Sequence, residues 1–196
     1  MAGRYNPTLV FRSAAVFISI ILAANSFPSA QAAGCESGDM VKHAADAFVA
    51  AAKNGSPSAF GTALARYADV DSVALFALGK YRNKLPADRR SEYVRNTGYY
   101  MSRFLADNAG RFKSASQLAI ASCKGNLVET SLNNQSTIVW RVSGGLVQDV
   151  QVSGIWLGMQ LRQEYAGIIR QNHGFVTSLL DYLARQAPSD ARQKQN

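Results

Sequence analysis

Residues 147–174 read VQDVQVSGIWLGMQLRQEYAGIIRQNHG, and the fold class turns on where this stretch changes its period. Val150 and Val152 alternate with polar residues, the period-two mark of a strand with one buried face. From about Gly154 the spacing becomes helical. The expected first turns, GIWLGMQL, carry Ile155, Trp156, Leu157, Met159 and Leu161, more apolar surface than the one face of a surface helix requires. The expected helix runs from about Ile155 to Asn172, with Gly174 as its stop.

Upstream, the period is two back to Phe112. Leu118 and Ile120, then Val128, Thr130 and Leu132, then Ile138, Trp140 and Val142 form three further runs. Turn residues separate them at Lys124-Gly125-Asn126, Asn133-Asn134 and Gly144-Gly145, and such short connections imply an antiparallel meander of about four strands. Before Phe112 the period is helical. Residues 39–53 end at Asn54-Gly55. Ser56-Pro57 opens a second helix, with Ser at the cap and Pro at its first position. Asp71 is read as the cap of a short helix, SVALFALG, and the longest helix follows Pro86, with Tyr93, Tyr100, Phe104 and Leu105 in one stripe. A closing helix from Phe175 to about Ala184 carries Val176, Leu179, Leu180 and Leu183 on one side. Helices grouped before and after a run of antiparallel strands define an α+β fold, with helices laid on one face of a curved sheet. Such a sheet has one inner face, and Asp149, of opposite parity to Val150 and Val152, is expected to point outward.

The amino end reads as a secretory leader: Arg4 and Arg12, the apolar run AAVFISIILAA (residues 14–24), and Ala30-Gln31-Ala32 as a small-x-small cleavage signal. Cleavage after Ala32 removes two arginines and no acid, so the net charge of +8 becomes +6 over the remaining 164 residues. This gives a leader at 1–32, one domain at 33–187 and a polar tail at 188–196. One domain of that length can bury roughly two-thirds of its unfolded surface without metal or a disulfide lattice. In an exported protein a basic balance points to anionic membrane surfaces or an acidic partner. Nucleic acid is not expected, because the basic residues are scattered rather than gathered with aromatics.

Cys35 and Cys123 are too far apart in sequence for a redox pair or zinc site. The simplest fate is one disulfide pinning the mature amino end to the sheet. A lipidated Cys35 and two free thiols are the alternatives; Ala32-Ala33-Gly34-Cys35 lacks the large aliphatic residue of a lipobox. His43 and His173 read as surface or capping residues. No G-x-S-x-G, P-loop, G-x-G-x-x-G or H-E-x-x-H is present, and no metal or cofactor is expected. The one enzymatic candidate is Asp149 as a general base in a cone-shaped fold. The aromatic and aliphatic surplus points instead to an apolar cavity between sheet and helices, lined by Phe76, Leu78, Tyr81, Tyr100, Phe104, Ile138, Trp140, Val150, Val152, Ile155, Trp156 and Met159.

The run Leu78-Gly79-Lys80-Tyr81-Arg82, followed by a long helix, a short sheet and then Asp149-Val150, Val152, Gly154, Arg162, Glu164-Tyr165, Ile169 and Asn172, resembles the periplasmic phospholipid-binding proteins of the MlaC or toluene-tolerance family, auxiliary components of ABC transporters. The likeness spans nearly the whole mature chain. Two departures stand out: Arg82 follows Tyr81 where the family has tryptophan, and Asn172-His173-Gly174 replaces N-G-G. The resemblance implies an NTF2-like fold and a non-enzymatic, monomeric carrier. Such a carrier takes a phospholipid between an outer-membrane lipoprotein complex and an inner-membrane ABC transporter bearing an MCE-domain protein. Lys80, Arg82 and Arg103 would then meet the head group at the pocket mouth, while Arg162, Glu164 and Arg170 stay toward water. A membrane-tethered adaptor and a hopanoid-type binder are the remaining readings. The intact mass of the exported chain is expected to equal that of residues 33–196, with no added diacyl mass on Cys35; a lipid adduct would turn the reading to a tethered adaptor.

Overall fold

The computed structural model describes residues 35–111, 118–133 and 136–188. The expected leader and cleavage signal, Asn134 of one expected turn and all of the expected tail but Pro188 lie outside the described residues. Four helices precede the strands: α1 (Gly38–Asn54), α2 (Pro57–Tyr67), α3 (Val70–Leu78) and α4 (Arg90–Asp107), with a 3-10 segment over Gly79–Lys84. The strands are β1 (Leu118–Lys124), β2 (Leu127–Leu132), β3 (Ser136–Ser143), β4 (Leu146–Val152) and β5 (Ile155–Trp156), and the chain closes with α5 (Leu157–Gln171) and α6 (Val176–Gln186). The sheet is an antiparallel meander in the order β1-β2-β3-β4-β5. The α+β class and the helix-strand-helix order follow the periodicity of the sequence.

Local chemistry places the helix ends. Ser56 accepts the Ala59 N–H at 3.2 Å, and Pro57 occupies the first helical position, where its missing N–H costs nothing. The cap of α3 is Asp69, not Asp71: its carboxylate accepts the Ser72 N–H at 3.0 Å and the Ser72 hydroxyl at 2.7 Å. The Ser72 N–H bond first, then its hydroxyl, hold Asp69 below the usual carboxylate range. Asp71 instead pairs with Arg90 at 2.7 Å. Both are Asp in an acceptable position, and the choice falls to Asp69 because its own N–H bonds the Val147 carbonyl at 2.9 Å, tying the start of α3 to β4.

The stretch 147–174 departs from its expected reading at one point. Ser153 (φ 51°) and Gly154 (φ 80°) form a two-residue turn with both residues left-handed, the geometry that matches the twist of a hairpin. Ile155 and Trp156 therefore pair back onto Val152 and Gln151 as a fifth strand, and the helix begins only at Leu157. A two-residue strand is too short to show a period, which is why the sequence reads it as helix.

The core has two large parts. Val41, Ala44 and Ala45 of α1 pack on Val128, Leu132, Ile138, Trp140, Val142 and Val147 of the sheet. Alanines at the contact let the helix axis approach closely. Phe48 meets Trp140 with ring centres 6.3 Å apart, and Trp140 donates its indole N–H to Thr130 at 2.9 Å, so the buried polar atoms of this face are satisfied. The second part joins α3, α4, α5 and α6 through Leu78, Tyr93, Tyr165, Ile169, Leu179, Leu180 and Leu183. There Tyr93 donates to the Ala74 carbonyl at 2.7 Å.

Cys35 and Cys123 form a disulfide, with Cα atoms 5.7 Å apart. It joins the residues just before α1 to the edge strand β1 across 88 positions of sequence. Closing so long a loop removes much of the unfolded chain's freedom, so the Cys35→Ala/Cys123→Ala variant is expected to lose about 2–5 kcal/mol of stability. Its midpoint in guanidinium chloride should fall accordingly, and an unchanged midpoint would show that the bridge contributes no net stability.

Candidate functional site

Residues paired across strands share a face of the sheet, so the register defines what each face carries. One inner-face row runs Ile120, Thr130, Ile138, Val152, Ile155. Its cover fades toward both ends: Thr130 and Ile138 are buried, whereas Val152 is half-buried and Ile155 57% exposed on one side, and Ile120 is 40% exposed on the other. The neighbouring row behaves alike, with Val128 and Trp140 buried and Val150 half-buried. α1 thus seals the centre of the inner face and leaves both its β1 edge, where Ile120 is exposed, and its β4–β5 flank partly open; the β1 edge is tied to the start of α1 by the Cys35–Cys123 disulfide. Phe48, Val49, Tyr67 and Leu118 are half-buried around the same apolar cluster. The sequence reading did not single out these four as site residues. Phe48 had a signal, lying three and four residues beyond Ala45 and Ala44 on the α1 stripe.

The opposite face is not bare, which corrects the expectation of one inner face. Asp149 does have the parity expected of it, paired with Arg141 on the outer face, but it is buried, not solvent-facing. The first turn of α5 covers it. Asp149 Oδ1 accepts the Gly158 N–H at 2.9 Å and its neighbour Val150 N–H at 2.8 Å. Its other oxygen lies 3.9 Å from the Arg141 guanidinium, which in turn sits 4.2 Å over the Trp156 ring. A Cβ on Gly158 would stand 2.9 Å from the carboxylate, so only glycine fits there. These contacts are those of an anchor for a helix N-terminus, where a negative charge is favoured. They leave the carboxylate no approach for a substrate from the Gly158 side.

The residues read as pocket lining do not converge on one place. Ile138, Trp140, Val150 and Val152 belong to the sheet cluster. Leu78, Tyr81 and Tyr100 belong to the helical cluster, where Tyr100 donates its hydroxyl to Glu164. Burial first, and then Glu164, push the Tyr100 hydroxyl well above the ordinary tyrosine range. Phe104 is half-buried on α4. Trp156 pairs with Gln151 and so lies on the outer face under Arg141, opposite Ile155. Phe76, Ile155 and Met159 are exposed, at 40%, 57% and 42%. Lys80, Arg82 and Arg103 are exposed as well; the first two sit in the 3-10 segment, where Lys80 lies 5.3 Å from the centre of the Tyr81 ring. Arg162 and Glu164, expected toward water, are half-buried, and Arg170 is exposed. His43 and His173 are exposed, and among the described residues no cluster of side chains suits a metal. A polar cleft of about 320 Å³ between α5 and α6, lined by Gln171, Asn172, Asp181 and Arg185 among others, lies on the helical layer and suits no acyl chain.

The described residues therefore define an α+β protein in which helices cover a bulged antiparallel sheet, with the apolar face partly open at its edges. A family model described as MlaC protein matches residues 47–185, and the chain belongs to the MlaC family. Among solved structures it is similar to the phospholipid-binding protein from Ralstonia solanacearum in complex with a phospholipid, with a TM-score of 0.62, 18% identity, and coverage of 76% of this chain and 96% of that one. No curated protein matches the chain. Among the described residues no helix is long and apolar enough to cross a membrane.

Asp149→Ala would leave the α5 N-terminus without its acceptor and Arg141 without its carboxylate. A stability loss of about 1–3 kcal/mol is expected, with Asp149→Asn recovering part of it through the amide oxygen. Thermal unfolding monitored by circular dichroism measures both.

Proposed function

We propose that the protein is a periplasmic phospholipid carrier that holds the acyl tails against the inner face of the sheet, entering from its β4–β5 flank. The observation that carries this reading is the inner-face row whose cover fades from Ile138 to Val152 to Ile155. An apolar sheet face is normally sealed by its own helices. Here the seal stops short at both edges, and because the disulfide ties the β1 edge to α1, the β4–β5 flank is the one that suits a removable apolar guest. Membership of the MlaC family and a fold shared with a protein solved with bound phospholipid support the same ligand class.

The physical need for such a carrier is large. Two acyl chains with on the order of 30 methylenes cost roughly 24 kcal/mol when bare in water, so a lipid crosses an aqueous gap at useful rates only with its tails covered. A dry pocket does this without catalysis or cofactor, and the head group stays at the mouth, where Lys80, Arg82 and Arg103 offer charge to a phosphate. In this reading residues 1–32 are a cleaved leader and residues 33–187 act as one monomeric lipid-binding domain. The lipid travels between an outer-membrane lipoprotein complex and an inner-membrane ABC transporter with an MCE-domain subunit.

Protein purified from an exporting host and extracted with organic solvent is expected to yield about one phospholipid per chain, identified by mass spectrometry. Val152→Asp places a charge on the open flank and should lower that yield at least about fivefold while costing little fold, since burying a bare carboxylate against acyl chains is far costlier than leaving it half-solvated. Lipid-free protein that takes up none from vesicles would overturn the reading, as would Val152→Asp protein with full lipid content.

A further inference from the structure

Three large apolar side chains of α3, β5 and α5 are exposed, at 40–57%. Ile155 ends the inner-face row, Met159 lies in the first turn of α5, and Phe76 is on α3. Arg162, one turn beyond Met159, places its guanidinium 5.3 Å from the centre of the Phe76 ring. It also fills the space beside Gly79, which has φ 53° and no room for a side chain. The α3 end, the following 3-10 segment and the start of α5 thus form one surface. The charge on it has a single sign. The run 76–84 (FALGKYRNK) has three cations and no acid, and the run 155–162 (IWLGMQLR) one cation and no acid. The acids of the same helices are engaged elsewhere, Asp71 with Arg90 at the far end of α3 and Glu164 with Tyr100, and Asp149 of the adjacent β4 is taken up by Gly158.

We propose that this surface docks on an anionic lipid bilayer, with Phe76, Ile155 and Met159 entering the interface and Lys80, Arg82 and Arg162 meeting the lipid phosphates. Exposed apolar side chains ringed by cations are the composition that binds at a membrane surface. The charge favours a bilayer as the occupant: the two runs carry four cations, Lys80, Arg82, Lys84 and Arg162, and no acid, which suits a surface of uniform negative charge. The inference extends the carrier reading by giving it a docking face beside the mouth, so that tails pass into the bilayer without crossing water. Its geometry does not depend on a lipid being bound.

Co-sedimentation with vesicles tests it, using full-length exported protein of recorded mass. Binding to phosphatidylcholine vesicles containing about 30 mol% phosphatidylglycerol is expected to exceed binding to pure phosphatidylcholine at least about tenfold, and the difference should vanish near 0.5 M salt. Phe76→Ser and Met159→Gln change exposed positions and should each weaken binding about threefold or more with thermal unfolding unchanged. Lys80→Glu/Arg82→Glu should abolish the preference for anionic vesicles. Equal binding to both vesicle types overturns the proposal, and so does undiminished binding of these variants. Capture of a protein partner on this face by a cross-linker at Met159→Cys, with no vesicle binding, overturns it in favour of a protein interface. Protein that co-purifies with phospholipid yet ignores anionic vesicles refutes the docking face alone and leaves the carrier reading standing.

Discussion

The contact between α1 and the inner face of the sheet is the constraint from which the rest follows. An antiparallel sheet with apolar residues on one face must cover it, and α1 does so with alanines, Val41 and Phe48 over Val128, Ile138 and Trp140. The cover is strongest at the centre. The disulfide at Cys35 and Cys123 holds the beginning of α1 to β1, so that edge, though Ile120 on it is exposed, is tied to the helix. The flank at β4 and β5 has no such tie and carries half-buried and exposed aliphatic residues.

The outer face is used differently. A single buried carboxylate, Asp149, takes the N–H of Gly158 and lies beside Arg141, and the guanidinium in turn covers Trp156. This small group fixes where β5 ends and α5 begins. It thereby fixes the wall that carries Ile155 and Met159, and α5 carries that placement on to α3 and α6 through Leu161, Tyr165 and Ile169. The helical cluster and the sheet are thus coupled at the junction beside the β4–β5 flank.

Much of this was legible in the residue pattern. The four amino-terminal helices, the meander with its turns at Gly125 and Gly144-Gly145, and the closing helices follow from period, caps and glycines. The site was less legible. Ile138, Val150 and Val152 were marked by parity and do line the inner face, whereas Trp156, singled out for its size, falls on the outer face because Ser153-Gly154 turns the chain back by two residues. Leu78, Tyr81 and Tyr100 share the apolar character of pocket residues, but they belong to helix-on-helix packing. Apolarity marks burial; it does not name the neighbour.

Local sequence by itself determined the elements other than the two-residue β5, and the face each residue occupies within them, because helical and strand periods are set by backbone geometry over a few residues. Tertiary structure decided three matters that no local period contains. It chose Asp69 over Asp71 as a cap through the bond between Asp69 and Val147, and it buried Asp149 by laying α5 over the outer face. It also left Ile155 in water while covering Ile138 in the same row. Each depends on groups distant in sequence arriving at one place, and exposure is a property of that arrival.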